Sequence, residues 1–537
     1  MDQNYDYIIV GAGSAGCVIA TRLIEETKAK VLLIESGPTD KNKYIHMPAG
    51  LPFVMASHTW KYQTEPEPYA NNRRIDVPQG KVLGGSSSVN GMAYVRGIPH
   101  DYEEWKNRFG CEGWGYEEVL NAFKACERNE SLSLPYHGTQ GHLYVTENRH
   151  RHALAMAYLQ AAQEMGYEYV TDFNGQDKEG VGFYQATIHK GKRASTVYSY
   201  LNRVKDNPLL TLKTDCTTHR ILIENGQAVG VEYQQNGGST VVAKAKKEVI
   251  VSAGAIGSPK LLLLSGIGPK DHLEEMGIPV LLESSQVGKN FQDHLHLNVC
   301  GRLKEPMSIL SDTKGFKKYW QGLNWLLFKG GVVTSNILES GGFFDLDGDG
   351  RRDTQIHTFP LIENFGLQDK EMTSELEGFT LKMGHLYPES RGEVKLRSRD
   401  VNDLPKIYGN YFSAPGDLEA QVRAVKFGVK MFDMPSLKNI VHDVVFPDAA
   451  YDSDDKIADF VRENAQTVFH PVGTCAMGGA AATSVVDPTL KVWGIKGLRV
   501  ADSSAFPHII SGNTNAPVIM LAHRVVDFIL KETASHA

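Results

Sequence analysis

Tyr5–Ser36 reads YDYIIVGAGSAGCVIATRLIEETKAKVLLIES, and its hydrophobic period changes three times. Tyr7 to Val10 is a short apolar strand, Gly11 to Gly16 a turn, Ala15 to about Glu26 carries helical spacing, and Val31 to Ile34 is a second apolar strand. This βαβ start predicts an α/β protein with a parallel sheet. GAGSAG matches G-x-G-x-x-G between strand and helix, with Glu35 closing the next strand. Gly11 permits the tight turn, Gly13 lets backbone approach a pyrophosphate, and Gly16 lets the helix pack on the strand. The helix N-terminus at Ser14 and Ala15 supplies partial positive charge, and Glu35, with Ser36 beside it, can accept from ribose hydroxyls. The glycine pattern alone is weak, but its βαβ setting predicts an adenine dinucleotide. It does not separate NAD from FAD.

Outward from this stretch, composition narrows the class. The chain has 537 residues, room for several units or for one cofactor domain with an interleaved second domain. Hydrophobic residues make up 42% and charged residues 22%, ordinary for a water-soluble globular protein. The net charge of −7 comes without a lysine or arginine block, which excludes a nucleic-acid partner. Six scattered cysteines with no CxxC pair argue against a zinc site or a disulfide framework and for a reducing compartment. The N-terminus lacks the pattern of a signal peptide, and no segment is long and apolar enough to predict a transmembrane helix. The expected location is cytoplasmic, with peripheral membrane contact left open.

Further along, Tyr116 to Arg128 has helical spacing, and Thr211 to Tyr233 reads as two strands about a turn at Asn225-Gly226. Lys247 to Val251 is another buried-strand candidate, followed by a glycine-marked turn and a short apolar helix. Residues 306 to 455 have a different texture, with aromatic residues, longer loops and strand-like pieces such as Gly392 to Leu396, and suggest a second domain. Near the C-terminus, Leu498 to Val500 reads as a strand, and NAPVIMLAHRVVDFILK as a final amphipathic helix with Asn515 as its cap.

Two stretches invite chemistry. GKVLGGSSSVNG (Gly80 to Gly91) can lay backbone N–H groups against a flat ring or a diphosphate, although Gly/Ser composition also suits a plain loop. FHPVGTCAMGG (Phe469 to Gly479) places His470 five residues before Cys475. A thiolate pair, half a metal site, a lone base and a buried structural histidine are all compatible with it. Spacing alone gives Cys475 no partner base, so it is read as structural.

These motifs resemble the glucose-methanol-choline (GMC) flavoprotein oxidoreductases along essentially the whole chain. Gly80 to Gly97 with Asp101 is similar to that family's first signature, and GAIGSPKLLLLSGIG (Gly254 to Gly268) to its second. HPVGTCAMG, DSSAFP and SGNTNAPV follow in family order. The resemblance implies a Rossmann-like FAD-binding domain (1–155, 193–305 and 456–537) interleaved with an α+β substrate-binding domain of antiparallel sheet plus helices (156–192 and 306–455). It also implies oxidation of an alcohol by hydride transfer to flavin N5, with His470 and Asn513 as the catalytic pair. Histidine suits the role of base because its ordinary pKa is near neutrality, and Asn513 can donate to the substrate oxygen without competing for its proton.

The expected FAD contacts are Gly11, Gly13, Ser14, Ala15, Gly16, Glu35, Ser36, Trp60, Val82, Gly84, Gly85, Ser86, Asn90, Gly91, Met92, Ala93, Asp502, Ser503 and Thr514. Some family members bond FAD covalently through a histidine just before the Asn90 position. Val89 stands there, so non-covalent FAD is expected. The chain looks closest to the bacterial choline, aliphatic-alcohol and sorbose dehydrogenase branch. IHMPAG, HTWKYQTEP and EMGYEYVTDFNG look more like sorbose dehydrogenase, so a sugar or polyol such as L-sorbose is the expected substrate. Choline or an aliphatic alcohol is the alternative, and a non-redox FAD lyase or an NAD-linked dehydrogenase are rival classes. Glu339 is the acid singled out in the presumed substrate domain. The electron acceptor, whether quinone, another carrier or oxygen, and the oligomeric state are not encoded in motifs. Finally, DLDGDGRRD (Asp345 to Asp353) begins like a calcium loop but has Ile356 at its twelfth position, so no metal site is expected.

Overall fold

A computed structural model describes residues 4–312, 315–328, 330–363 and 376–535. Asn4–Val10 and Val31–Ile34 pair in parallel, joined by the helix Ser14–Thr27. Leu210–Lys213 extends the sheet beyond Val31–Ile34, while the end of Thr240–Val251 pairs in parallel with Asn4–Val10 and with Leu498–Val500. An antiparallel hairpin, Cys216–Glu224 and Gln227–Gln235, completes the sheet and turns at Asn225-Gly226. Val31, Leu32, Leu33 and Ile34 are buried because both sheet faces are covered, which is why the strand reads as a continuous apolar run.

The fingerprint helix packs on the final helix, Asn515–Ser535. Ile19 and Leu23 on the first and Leu521 and Val525 on the second are fully buried, each contributing about 1.5–3 kcal/mol. A Cβ at Gly16 would stand 1.9 Å from the carbonyl oxygen of Gly11, so only glycine lets this helix sit so close to the turn. Asn515 lies inside the final helix and accepts from Ser14 Oγ at 2.8 Å, tying the two helix starts together where the sequence suggested a cap.

The second sheet is antiparallel, in the order Val441–Phe446, Leu295–Leu303, Gly378–His385, Thr354–Phe359, Ser340–Phe344 and Gly180–Phe183, with Gln466–Thr467 paired to Leu295–Leu303. Helices Ala153–Glu164 and Pro415–Phe432 pack on it. Side chains alternate as in any strand: Ile356, Leu381 and Met383 enter the core shared with these helices, whereas His357, Phe359 and Lys382 line the cavity described below. Leu295–Leu303 and Gln466–Thr467, expected from sequence in the cofactor domain, pair into this sheet, where Leu295–Leu303 lies between Gly378–His385 and Val441–Phe446.

Candidate active site

The two sheets meet over a cavity of about 650 Å³. Its wall includes the fingerprint residues Gly11, Gly13, Ser14, Ala15, Glu35 and Ser36 and the pair His470 and Asn513. Trp60, Gly85, Ser86, Asn90, Gly91, Met92, Ala93, Asp502, Ser503 and Thr514 line it as well. Gly16, Val82 and Gly84 do not reach the wall. Gly16 packs in the helix, Val82 joins a small core with Ile45, Val54 and Val89, and the Gly84 N–H donates to the Ala12 carbonyl. Gly254 and Lys260 of the second glycine signature also line the cavity, as do Thr217 and Thr218, which were not singled out from sequence.

The cofactor end fits a dinucleotide. The starts of the fingerprint helix and of the final helix both open on the cavity, giving two sets of amide donors for an anion. Glu35 accepts from Ala12 N at 3.0 Å and Gly37 N at 2.8 Å, which fixes its carboxyl at the cavity wall. Burial pushes its pKa up to about 7, against the pull of these N–H donors. Asp502 accepts from Gly254 N and Ser258 Oγ on one oxygen and from Ser504 N and Oγ on the other. It thereby fastens the DSSAFP turn to the turn before Gly254–Leu264.

Arg193, which sequence reading missed, is 1% exposed. It donates to the carbonyl oxygens of Ile45, Ser87 and Asn90 and to Asn90 Oδ1. No carboxylate pairs with it among the described residues, and burial lowers its pKa to about 9. Its task is to hold the second glycine-rich loop in shape.

At the catalytic end, Asn513 Nδ2 lies 3.2 Å from His470 Nε2 although 43 residues separate the two. The His470 backbone N–H donates to Asp293 Oδ1 at 2.8 Å, and its ring Nδ1 is 3.1 Å from His294 Nδ1. Burial, and then the nearby His357, lower the His470 pKa to about 3, so its neutral form is favoured. Asn513 Oδ1 accepts from Gln355 Nε2 at 3.3 Å, which turns the Asn513 amide nitrogen toward His470. Gln355 and His357 share the face of one strand, two residues apart. On the same wall, Lys382 Nζ is 3.3 Å from Glu363 Oε2, which also accepts from Asn298 Nδ2 at 2.8 Å.

Glu339 is not at the cavity wall. Its oxygens accept from the His152 N–H and Ser335 Oγ and bond His150 Nδ1, so it ties buried strand to loop. Cys475 is buried with its thiol pKa raised well above the ordinary value, as expected for a structural cysteine. Asp345, Asp347 and Asp349 come together in the DLDGDG turn, where they accept from the N–H groups of Gly348, Gly350, Asp349 and Arg351.

The family model for GMC oxidoreductases matches residues 5–296 with its N-terminal part and 388–522 with its C-terminal part. The chain belongs to the GMC oxidoreductase family. It is similar to an alcohol dehydrogenase [acceptor] of Pseudomonas putida, 40% identical over 98% of this chain and 96% of that protein. It is also similar to an oxygen-dependent choline dehydrogenase of Rhizobium meliloti, 41% identical over 98% of this chain and 95% of that protein. Among solved structures, a formate oxidase of Aspergillus oryzae superposes with a TM-score of 0.93 at 26% identity, covering 100% of both chains. A pyridoxine 4-oxidase superposes at 0.88 with 26% identity, covering 98% of this chain and 99% of that one. This GMC protein is therefore an FAD-dependent oxidoreductase acting on CH–OH donors. Among its described residues no helix is long and apolar enough to cross a membrane.

Proposed function

We propose that the chain oxidises an aliphatic primary alcohol to the aldehyde, with His470 as base and Asn513 as donor to the alcohol oxygen. The observation that carries this reading is the share of the cavity wall drawn from the second sheet and its loops, where Ile337, Leu338, Phe359, Leu361, Val468 and Phe469 offer apolar surface to an alkyl chain. Its exceptions are His357 and the Lys382–Glu363 pair. A sugar such as L-sorbose would bring a ring of hydroxyls to a wall with few partners for them. The named relatives are choline and alcohol dehydrogenases.

FAD, when bound, supplies the acceptor for the hydride that leaves the carbinol carbon. The chain's own residues handle the rest. Neutral His470 takes the hydroxyl proton at Nε2 as the hydride departs, so the alcohol loses two electrons and two hydrogens and becomes an aldehyde. Asn513 Nδ2 donates to the oxygen as charge develops there, which in a desolvated cavity is worth more than in water. The resting bond between Asn513 and His470 must open for the hydroxyl to enter, so substrate replaces a contact already in place. The position that would carry a covalent flavin link is Val89, which supports dissociable FAD. An electron acceptor, a quinone, other carrier or oxygen, closes the cycle.

Choline is the second reading, favoured by the choline dehydrogenase relatives. A quaternary ammonium needs a desolvated site of aromatic faces and negative charge. Glu363 is the acid on this wall, and it already pairs with the Lys382 ammonium. Anaerobic mixing of the purified yellow protein with 1-butanol, choline and L-sorbose tests the choice. The proposal predicts fastest flavin bleaching by 1-butanol, and bleaching by L-sorbose or choline alone would overturn it.

A further inference from the structure

We propose that His294 is a positioning residue that locks His470 in the tautomer with its proton on Nδ1, leaving the Nε2 lone pair facing Asn513 and the cavity. This deepens the reading of His470 as the base and rests on it.

The argument is one of hydrogen-bond direction. His294 Nε2 lies 3.1 Å from the carbonyl oxygen of Leu386. A carbonyl can only accept, so the His294 proton sits on Nε2 and Nδ1 of the neutral ring is bare. That bare Nδ1 is 3.1 Å from His470 Nδ1, which must then be the donor. His470 Nε2 is left without a proton, in agreement with the Asn513 amide placed 3.2 Å from it. Gln355 donates to Asn513 Oδ1 and holds that amide in the matching orientation. One unbroken direction of donation therefore enters His470 at Nε2 from Asn513 and leaves it at Nδ1 toward His294 and the Leu386 carbonyl.

The alternative, a doubly protonated His294, would reverse the chain and place a proton on His470 Nε2, where a base needs none. His294 is 2% exposed, its rings' neighbours include His470 and His385, and no carboxylate bonds to it among the described residues. The adjacent acid, Asp293, spends Oδ1 on the His470 N–H, and its Oδ2 accepts from the Tyr411 hydroxyl at 3.4 Å. Many catalytic histidines are oriented by a carboxylate, which also raises their basicity. Here the orienting group is neutral, so it sets the tautomer without holding the proton once transferred.

The test reads the tautomer itself, so it does not depend on finding the right alcohol. The holoenzyme labelled with ¹⁵N-histidine is compared by ¹⁵N–¹H correlation NMR with His470→Ala, whose missing signals assign His470 among the nineteen histidines. The proposal predicts a protonated Nδ1 and a bare Nε2 for His470 in the parent protein. In His294→Leu, which removes the acceptor, an Nε2-protonated form should appear. His294→Asn, which restores an acceptor oxygen, should return the parent pattern. Flavin reduction by 1-butanol should fall by roughly 100-fold in His294→Leu, the lower end of what a well-placed base contributes. A parent protein with Nε2 protonated would overturn the proposal even if no variant folded, and so would an unchanged His470 spectrum in His294→Leu. Failure of 1-butanol to bleach flavin alongside the predicted spectra would instead count against the substrate assignment alone.

Discussion

Gly85→Ala gives a direct test of how the two glycine-rich segments form one cofactor wall. Gly85 has φ +53°, and a Cβ built on it would stand 2.7 Å from Gly13 Cα, backbone against backbone. Two costs follow. The left-handed conformation costs a side-chain-bearing residue about 1–2 kcal/mol. Relief of the contact requires the fingerprint turn and the second loop to move apart, and overpacking of this kind costs about 1–3 kcal/mol. Only the second cost falls on the cavity, so it should appear as lost FAD affinity, roughly 5- to 150-fold in Kd. Gly226→Ala is the control, because Gly226 has φ +75° in a hairpin turn with nothing within 4 Å of a built Cβ. Both variants should lose thermal stability by a comparable strain. Only Gly85→Ala should release FAD, followed by flavin fluorescence on dilution. Equal FAD retention in the two variants would refute the inference that Gly13 and Gly85 jointly shape the site.

Three further outcomes follow from the same geometry. His470 and His357 have pKa values lowered to about 3 by burial, against about 6.5 in the unfolded chain, so unfolding takes up protons below that value. Their neutral forms cost nothing above pH 6.5, and stability should be lost as pH falls from there toward 3, by at most about 2 kcal/mol each at about pH 5. Urea midpoints across that range check it, and a flat profile would contradict it. Arg193→Met should remove at least about 2 kcal/mol of stability and lower FAD occupancy, seen in melting and in the visible spectrum, because three carbonyls lose a charged donor. Lys382→Met removes the ammonium that neutralises Glu363, so choline should bind roughly 10-fold tighter in anaerobic titrations, and no gain would show that the pair does not screen cations.

The parts legible in the sequence are those carried by local patterns. The βαβ start was readable because strand, turn and helix each keep their own period over Tyr7 to Ile34, and the structure keeps those bounds to within a few residues. Glycine and proline punctuate Gly37 to Gly97, and its α-helices span only Lys43–His46 and Leu51–Ser57. The second sheet was harder, because Leu295–Leu303 lies far in sequence from its partners Gly378–His385 and Val441–Phe446. The shell around His470 was hidden for a similar reason. His294 sits in QDHLHL, where Gln292, Asp293 and His296 compete with it for notice, and only the fold brings it to His470 across 176 residues. Gln355 and His357 follow directly on the acidic DLDGDGRRD turn, which drew attention to carboxylates instead of to the alternating strand after them. Glu339 was singled out as an acid in the right domain. Domain membership does not fix side-chain direction, and Glu339 points its oxygens at His150, His152 and Ser335.

The central claim is that His470 takes the alcohol proton while Asn513 steadies the oxygen. Stopped-flow reduction of the bound flavin by 1-butanol without oxygen measures this step alone. His470→Ala should retain FAD and lose roughly 10²- to 10⁴-fold in the reduction rate, the range a positioned base contributes. Asn513→Ala should lose less, roughly 10²-fold, with its flavin spectrum intact. A His470→Ala enzyme that keeps its FAD and reduces it at the parent rate would contradict the account.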